Sequence, residues 1–161
     1  DEEMEEGEEA APPASQAEKI VREALMAQVS GDVLGALRRY LFGFRLQPAL
    51  VGVMREEFVV CLYESSSCMD SEEMREQLAP LLRVSAGMFP QEPEAMAALA
   101  TLEFRMGLLQ ASMQTWRKLL DINPMSLLAL ESHDNLCSQL VDRWHFRMLN
   151  DIVRNTCYKA A

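Results

Sequence analysis

Apolar side chains recur every three or four positions along most of this chain, the spacing that places them on one face of an α-helix. The clearest case is residues 93–124, PEAMAALATLEFRMGLLQASMQTWRKLLDINP. Ala95, Leu99, Leu102 and Met106 form one stripe, and Ser112, Trp116, Leu119 and Leu120 form a second. Gly107 separates the two, supplying the backbone freedom that a helix C-terminus favours. Pro124 ends the second stripe, because its ring clashes with the preceding turn and pushes Asn123 out of helical geometry. The pattern predicts a helix, a tight turn and a second helix. A hairpin of this size cannot bury both stripes alone, so it predicts neighbours of the same kind.

Residues 17–50 repeat the scheme. Ala24, Gly31, Ala36, Tyr40, Gly43 and Pro48 stand where the later unit has Ala100, Gly107, Ser112, Trp116, Leu119 and Pro124. Small residues suit the close crossing of two helices, and the aromatic fills the gap to the next hairpin. The spacing from Pro90 to Pro124 is 34 residues. This arrangement resembles the tetratricopeptide repeat. It departs from the usual motif at Met96 and Ile20, where that repeat often has Trp, and at Glu103 and Ala27, where it often has Tyr.

In chain order, Ser15 is a candidate helix cap with Glu18 completing a capping box, and the first hairpin turns at residues 30–32. Residues 50–63 read as one helix through Val53, Phe58, Val60, Cys61 and Leu62. Asp70 or Ser71 caps the next, whose apolar positions are Leu78, Leu81, Leu82 and Met88. Pro48 to Pro90 is eight residues longer than Pro90 to Pro124, and an inserted loop over residues 65–70 is expected to take up the excess. Beyond Pro124, Leu127, Leu128, Leu130, Leu136 and Leu140 predict a helix that caps the last repeat.

Composition agrees with an all-helical protein: nearly half of the 161 residues are hydrophobic, Gly and Pro are few, and burial of roughly two thirds of the unfolded surface is expected at this length. The formal charge of −10 changes the picture only locally. Seven acids and no base fall in residues 1–9, leaving 18 acids against 15 bases elsewhere. Residues 1–15 are therefore expected to be a solvated acidic leader. Its expected role is that of a solubilising tail; repelling nucleic acid and meeting a basic partner are the alternative uses. Cys61, Cys68, Cys137 and Cys157, with His133 and His145, show no zinc-ligand spacing, so no metal is expected. With no signal peptide and no apolar run long enough to span a bilayer, a cytoplasmic or nuclear protein with reduced thiols and no membrane partner is expected. The missing initiating Met makes Asp1 an unnatural start, so the chain is expected to be a fragment.

Residues 143–161, RWHFRMLNDIVRNTCYKAA, leave the repeat pattern and carry four bases against one acid. His145, Met148, Leu149, Asp151, Arg154, Tyr158 and Ala161 fall at the spacing H-x-x-M-L-x-D-x-x-R-x-x-x-Y-x-x-A. That resembles the segment leading into the catalytic domain of protein arginine methyltransferases. The resemblance implies that Arg154 pairs with the carboxylate of S-adenosylmethionine, whose shape a guanidinium fork matches. It also implies that Met148 lies near the methyl-transfer centre, with His145 beside it. Read without the resemblance, Arg154 is a solvated arginine, Met148 core packing and His145 a satisfied histidine. The glycine turn that cradles the nucleoside and the two acids that hold the substrate guanidinium have no counterpart in the chain. No catalytic residue is therefore expected within it, and S-adenosylmethionine belongs to the complete protein.

The repeats offer a second use. Stacked hairpins present their first helices on a face that binds extended segments. By repeat position Val21, Leu25 and Gln28 in the first unit, and Ala97, Thr101, Phe104 and Arg105 in the third, belong there. The groove expected from these is Gln28, Thr101, Phe104 and Arg105. Val21, Leu25, Ala97 and Thr101 cannot supply the Lys and Asn donors of a carboxylate clamp. The reading is an all-α solenoid of about three repeats over residues 16–142 plus a capping helix. It leads at residues 143–161 into the first helix of a methyltransferase domain that is otherwise absent. Its expected function is to recruit a protein substrate to an arginine methyltransferase, with the protein's own catalytic domain as a second partner. The alternative is a stand-alone adaptor that binds a peptide and catalyses nothing.

Overall fold

The computed structural model describes residues 15–140 together with Thr156 and Lys159. The acidic leader through residue 14 and the whole of residues 141–155, with Met148, His145 and Arg154, lie outside the described residues. Within residues 15–140 eight helices follow one another: α1 Gln16–Val29, α2 Val33–Leu46, α3 Leu50–Val53, α4 Arg55–Ser67, α5 Glu72–Met88, α6 Pro93–Arg105, α7 Leu109–Ile122 and α8 Leu127–Leu140. Among the described residues there is no strand.

The first and third hairpins are built alike, bond for bond. Gly31 and Gly107 both have positive φ, +84° and +75°, the left-handed turn that glycine adopts without steric cost. Around Gly31, Ser30 N donates to Met26 O, Gly31 N to Gln28 O and Asp32 N to Ala27 O. Around Gly107, Met106 N donates to Leu102 O, Gly107 N to Phe104 O and Leu108 N to Glu103 O, each bond displaced by 76 residues from its counterpart. Ser15 caps α1 in the expected capping box with Glu18, and Ser71, not Asp70, caps α5 by accepting from Met74 N.

Small residues mark the helix crossings. Ala24 of α1 and Ala36 of α2 are both fully buried where the two helices pack. At the equivalent place Ser112 Oγ donates to Ala100 O at 2.7 Å, and Glu103 accepts from Thr115 Oγ1 at 2.7 Å, so a buried carboxylate takes the place of an aromatic. A Cβ on Gly43 would come within 2.4 Å of Val21 Cγ2, so α1 and α2 can close only around a glycine. Tyr40, Phe44, Phe58 and Phe89 form one cluster of edge-on and stacked rings that joins α2, α4 and the end of α5. Trp116 fills the corresponding place in the third hairpin, packing with Ala100, Leu119, Ala129 and Leu136 in a second, smaller core.

The second unit departs from expectation. Residues 50–63 are not one helix: the chain bends at Met54, which ends α3 and starts α4 without a side-chain cap. Gly52 and two β-branched valines are poor helix formers, and the bend lets α4 lie against both α2 and α6. No loop is inserted over residues 65–70 either. Residues 65–67 are the last turn of α4, with Ser65 fully buried and its Oγ donating to Leu62 O. Relative to the third unit, the eight extra residues fall four ahead of α4, one in the following turn and three in α5. Pro80 sits within α5 on an exposed position and does not end it. Leu78, Ala79, Leu82, Ser85 and Ala86 bury the opposite side, which outweighs the one backbone bond that Pro80 removes.

A polar staple closes α4 onto α6. Arg55 Nε and Nη2 reach the two carboxylate oxygens of Glu92 at 3.0 and 2.7 Å, where Glu92 is the N-cap residue of α6. Burial raises the Glu92 carboxyl, but hydrogen bonds from Glu94 and Arg55 and the Arg55 charge outweigh it and hold the group below the usual range. Hydrogen bonding with Glu92 and then burial push Glu94 the other way. A carboxyl raised in the folded protein stabilises it below the ordinary carboxylate range and loses that contribution as pH rises through the folded value. Glu94→Gln, which mimics the protonated carboxyl, is therefore expected to raise the melting temperature more at pH about 8 than at pH about 4. Thermal melts at the two pH values check it; an equal shift at both would detach Glu94 from the pH dependence.

Candidate functional site

The first helices of the hairpins are not equally close. α4 packs on α6, whereas the gaps between α1 and α4 and between α6 and α8 remain open as clefts. The α6–α8 cleft encloses about 250 Å³ and is lined by Thr101, Phe104, Trp116, Leu128, Ser132, Asn135, Leu136 and Gln139. Trp116 and Leu136 are its buried floor; Phe104 and Leu128, 42% and 57% exposed, form its lips. No charged residue is among those lining it. Thr101 Oγ1 is committed to Ala97 O at 2.8 Å, so Ser132, Asn135 and Gln139 are left to meet a bound chain.

The expected groove residues divide. Thr101 and Phe104 meet in the α6–α8 cleft. Arg105 turns away from them, lying 3.6 Å from Asp70 and lining a different recess with Glu72, Arg75 and Glu76. Gln28 is largely buried, accepting from Tyr40 Oη at 3.1 Å, and only its edge reaches the α1–α4 cleft. Val21 is core beneath Gly43, and Leu25 lines the α1–α4 cleft. The periodicity misses the α8 side of the site. Leu128, Ser132, Asn135 and Gln139 step along one helical face, but a leucine-rich helix after the last repeat reads as a cap. In fact only Ala129 and Leu136 of α8 are buried, and Leu127, Leu128, Leu130 and Leu140 are exposed. α8 therefore packs on α7 as a partial cap and keeps apolar surface open.

The Cys61 thiol and the Tyr40 phenol are both held in their neutral forms. Burial, then the charges of Glu64 and Cys68, push the Cys61 thiol up to about 12, and a thiol held neutral is no nucleophile. Burial likewise raises the Tyr40 phenol. Among the described residues no group of three His, Cys, Asp or Glu side chains is placed to hold a metal ion, and no helix is long and apolar enough to cross a membrane.

The architecture is matched by the crystal structure of the Sgt2 TPR domain from Aspergillus fumigatus, with a TM-score of 0.52 over 79% of this chain and 80% of that one, at 14% identity. The fold is a tetratricopeptide solenoid. In sequence the chain is similar to protein arginine N-methyltransferase 9, at 30% identity to the Homo sapiens protein, 29% to that of Mus musculus and 27% to that of Xenopus laevis. Each match runs over 126 residues, or 78% of this chain. The matched segment is 15% of each relative's length, so the likeness is to one segment of a much longer protein. No protein-family model matches the chain.

Proposed function

We propose that this solenoid is the protein-docking region of a protein arginine methyltransferase, holding an extended segment of a protein partner across its first helices. The observation that carries the reading is the α6–α8 cleft. It is an uncharged, largely apolar slot at the repeat position where such folds meet their ligands, with an exposed phenylalanine at its lip and amide side chains along one wall. An apolar anchor enters between Phe104 and Leu128 while Asn135 and Gln139 bond its main chain. The absence of a basic residue in the lining sets this mode apart from capture of a C-terminal carboxylate. In the complete protein the methyl donor is S-adenosylmethionine, and Arg154, with Met148 and His145 near it, is its ligand in the segment after α8. The reading places the whole protein in the cytoplasm and nucleus.

The docking clause is tested by panning a random dodecapeptide phage library on the immobilised chain. Selected peptides are expected to bind Phe104→Ala/Leu128→Ala about tenfold more weakly, with an unchanged melting temperature because both side chains are exposed. Peptides indifferent to the double variant would remove the cleft from the function. The donor clause is tested in the complete methyltransferase: Arg154→Ala is expected to weaken S-adenosylmethionine binding by about tenfold or more without moving the repeat region's melting temperature. Unchanged donor affinity would take Arg154 out of the site.

A further inference from the structure

The second cleft, between α1 and α4, has a different chemistry. It encloses about 470 Å³ and is lined by Leu25, Gln28, Val29, Glu56, Glu57, Val60 and Glu64. Leu25 and Gln28 occupy the repeat positions of Thr101 and Phe104, so this is the same ligand-facing place two hairpins earlier. Here apolar walls are joined to carboxylates, with no base among the lining residues. Val29 and Val60 are exposed, 78% and 48%, leaving aliphatic surface open beside the acids. None of the three glutamates forms an ion pair among the described residues. One oxygen of Glu64, Oε2, is shut off from solvent with no hydrogen-bond partner among the described residues. A buried carboxylate oxygen left unpaired is costly, and a donor entering the cleft would relieve it.

We infer that the α1–α4 cleft receives a cationic side chain, arginine or lysine, from a basic protein segment lying along the first helices. Its methylene stem packs on Leu25, Val29 and Val60, and its charged head bonds Glu57 and Glu64 with Glu56 at the rim. The inference rests on the docking function above and gives its partner a chemical class. An apolar anchor lies at the α6–α8 end and a basic residue at the α1–α4 end. An acidic segment is repelled from the second cleft, so the two ends together set the direction in which the partner lies.

The test uses the ¹⁵N-labelled 161-residue chain and two capped octapeptides, GSLRLRSG and its twin with citrulline in place of arginine. The arginine peptide is expected to bind about tenfold more tightly at ~50 mM salt and to lose that margin as salt rises. It should shift the amides of residues 25–29 and 56–64. Glu57→Gln/Glu64→Gln is expected to bring the two peptides level; Glu56→Gln, at an exposed position, narrows the margin even if the double variant does not fold. Equal affinities, a margin that survives all three substitutions, or shifts confined to residues 1–9 would overturn the inference. So would cleft amides that move without peptide in Arg143→Gln/Arg147→Gln/Arg154→Gln, which would seat the chain's own basic segment there. Equal binding of both peptides through residues 101–104 and 128–139 would leave the docking function standing and remove only the basic partner. If neither cleft responds, both fall.

Discussion

Phe58→Ala is expected to lower the stability of the chain by about 3–5 kcal/mol, as for a fully buried aromatic. Phe58 lies within 6 Å, centroid to centroid, of Tyr40, Phe44 and Phe89, so its loss strips three ring contacts at once as well as leaving a cavity. Those partners come from α2 and from the end of α5, and Phe58 itself from α4. The cavity thus opens at the junction of the first two units, and the whole cooperative transition should shift. Urea denaturation followed by far-ultraviolet circular dichroism measures it. A loss below about 1 kcal/mol would mean that the cluster repacks around the gap.

Trp116→Ala is expected to cost a similar amount, about 3–5 kcal/mol, but to be felt elsewhere. Trp116 is 3% exposed and centres the second core, whose other fully buried members among the described residues are Ala100, Leu119, Ala129 and Leu136. In a stack of units bound to their neighbours, losing one interface frees the terminal unit first. Hydrogen exchange should therefore quicken in α8 and the end of α7 while α1 and α2 stay protected. The variant should also abolish peptide binding in the α6–α8 cleft, whose floor is the indole. Uniform acceleration across all helices would show that the two cores unfold together. A stability loss below about 1 kcal/mol would place the indole outside any core.

The two substitutions separate what a repeat shares from what each unit does alone. The shared features are legible in the residues. Gly31 and Gly107 each end a helix at positive φ, where any other residue is strained, and so the turns announce themselves at a fixed spacing. Ala24, Ala36, Ala100 and Ser112 disclose where the helices cross, and Tyr40 and Trp116 where one unit meets the next. Ser15 with Glu18 fixes the start of α1 through bonds between near neighbours. These features depend on side chains a few residues apart, which is why the sequence carries them openly.

The candidate site was legible only in half. Thr101 and Phe104 follow from repeat position, but their partners Ser132, Asn135 and Gln139 lie on a helix whose leucines resemble those of a cap. Gln28 and Arg105 hold the right register yet answer to other groups, Tyr40 and Asp70, that lie outside their own helices. The acids of the second cleft look like an ordinary solvated face of α4 until α1 is seen beside them.

Helical hairpins, their turns, their crossing points and the order of the units were determined by the sequence itself, because each rests on local spacing and on backbone conformations that few residues tolerate. Where the extra eight residues go, which first helices pack closely and which leave a cleft, and how much of α8 stays bare were decided by the tertiary structure. The reason is that such choices balance packing among three or four helices at once, and that balance leaves one uncharged and one acidic cleft.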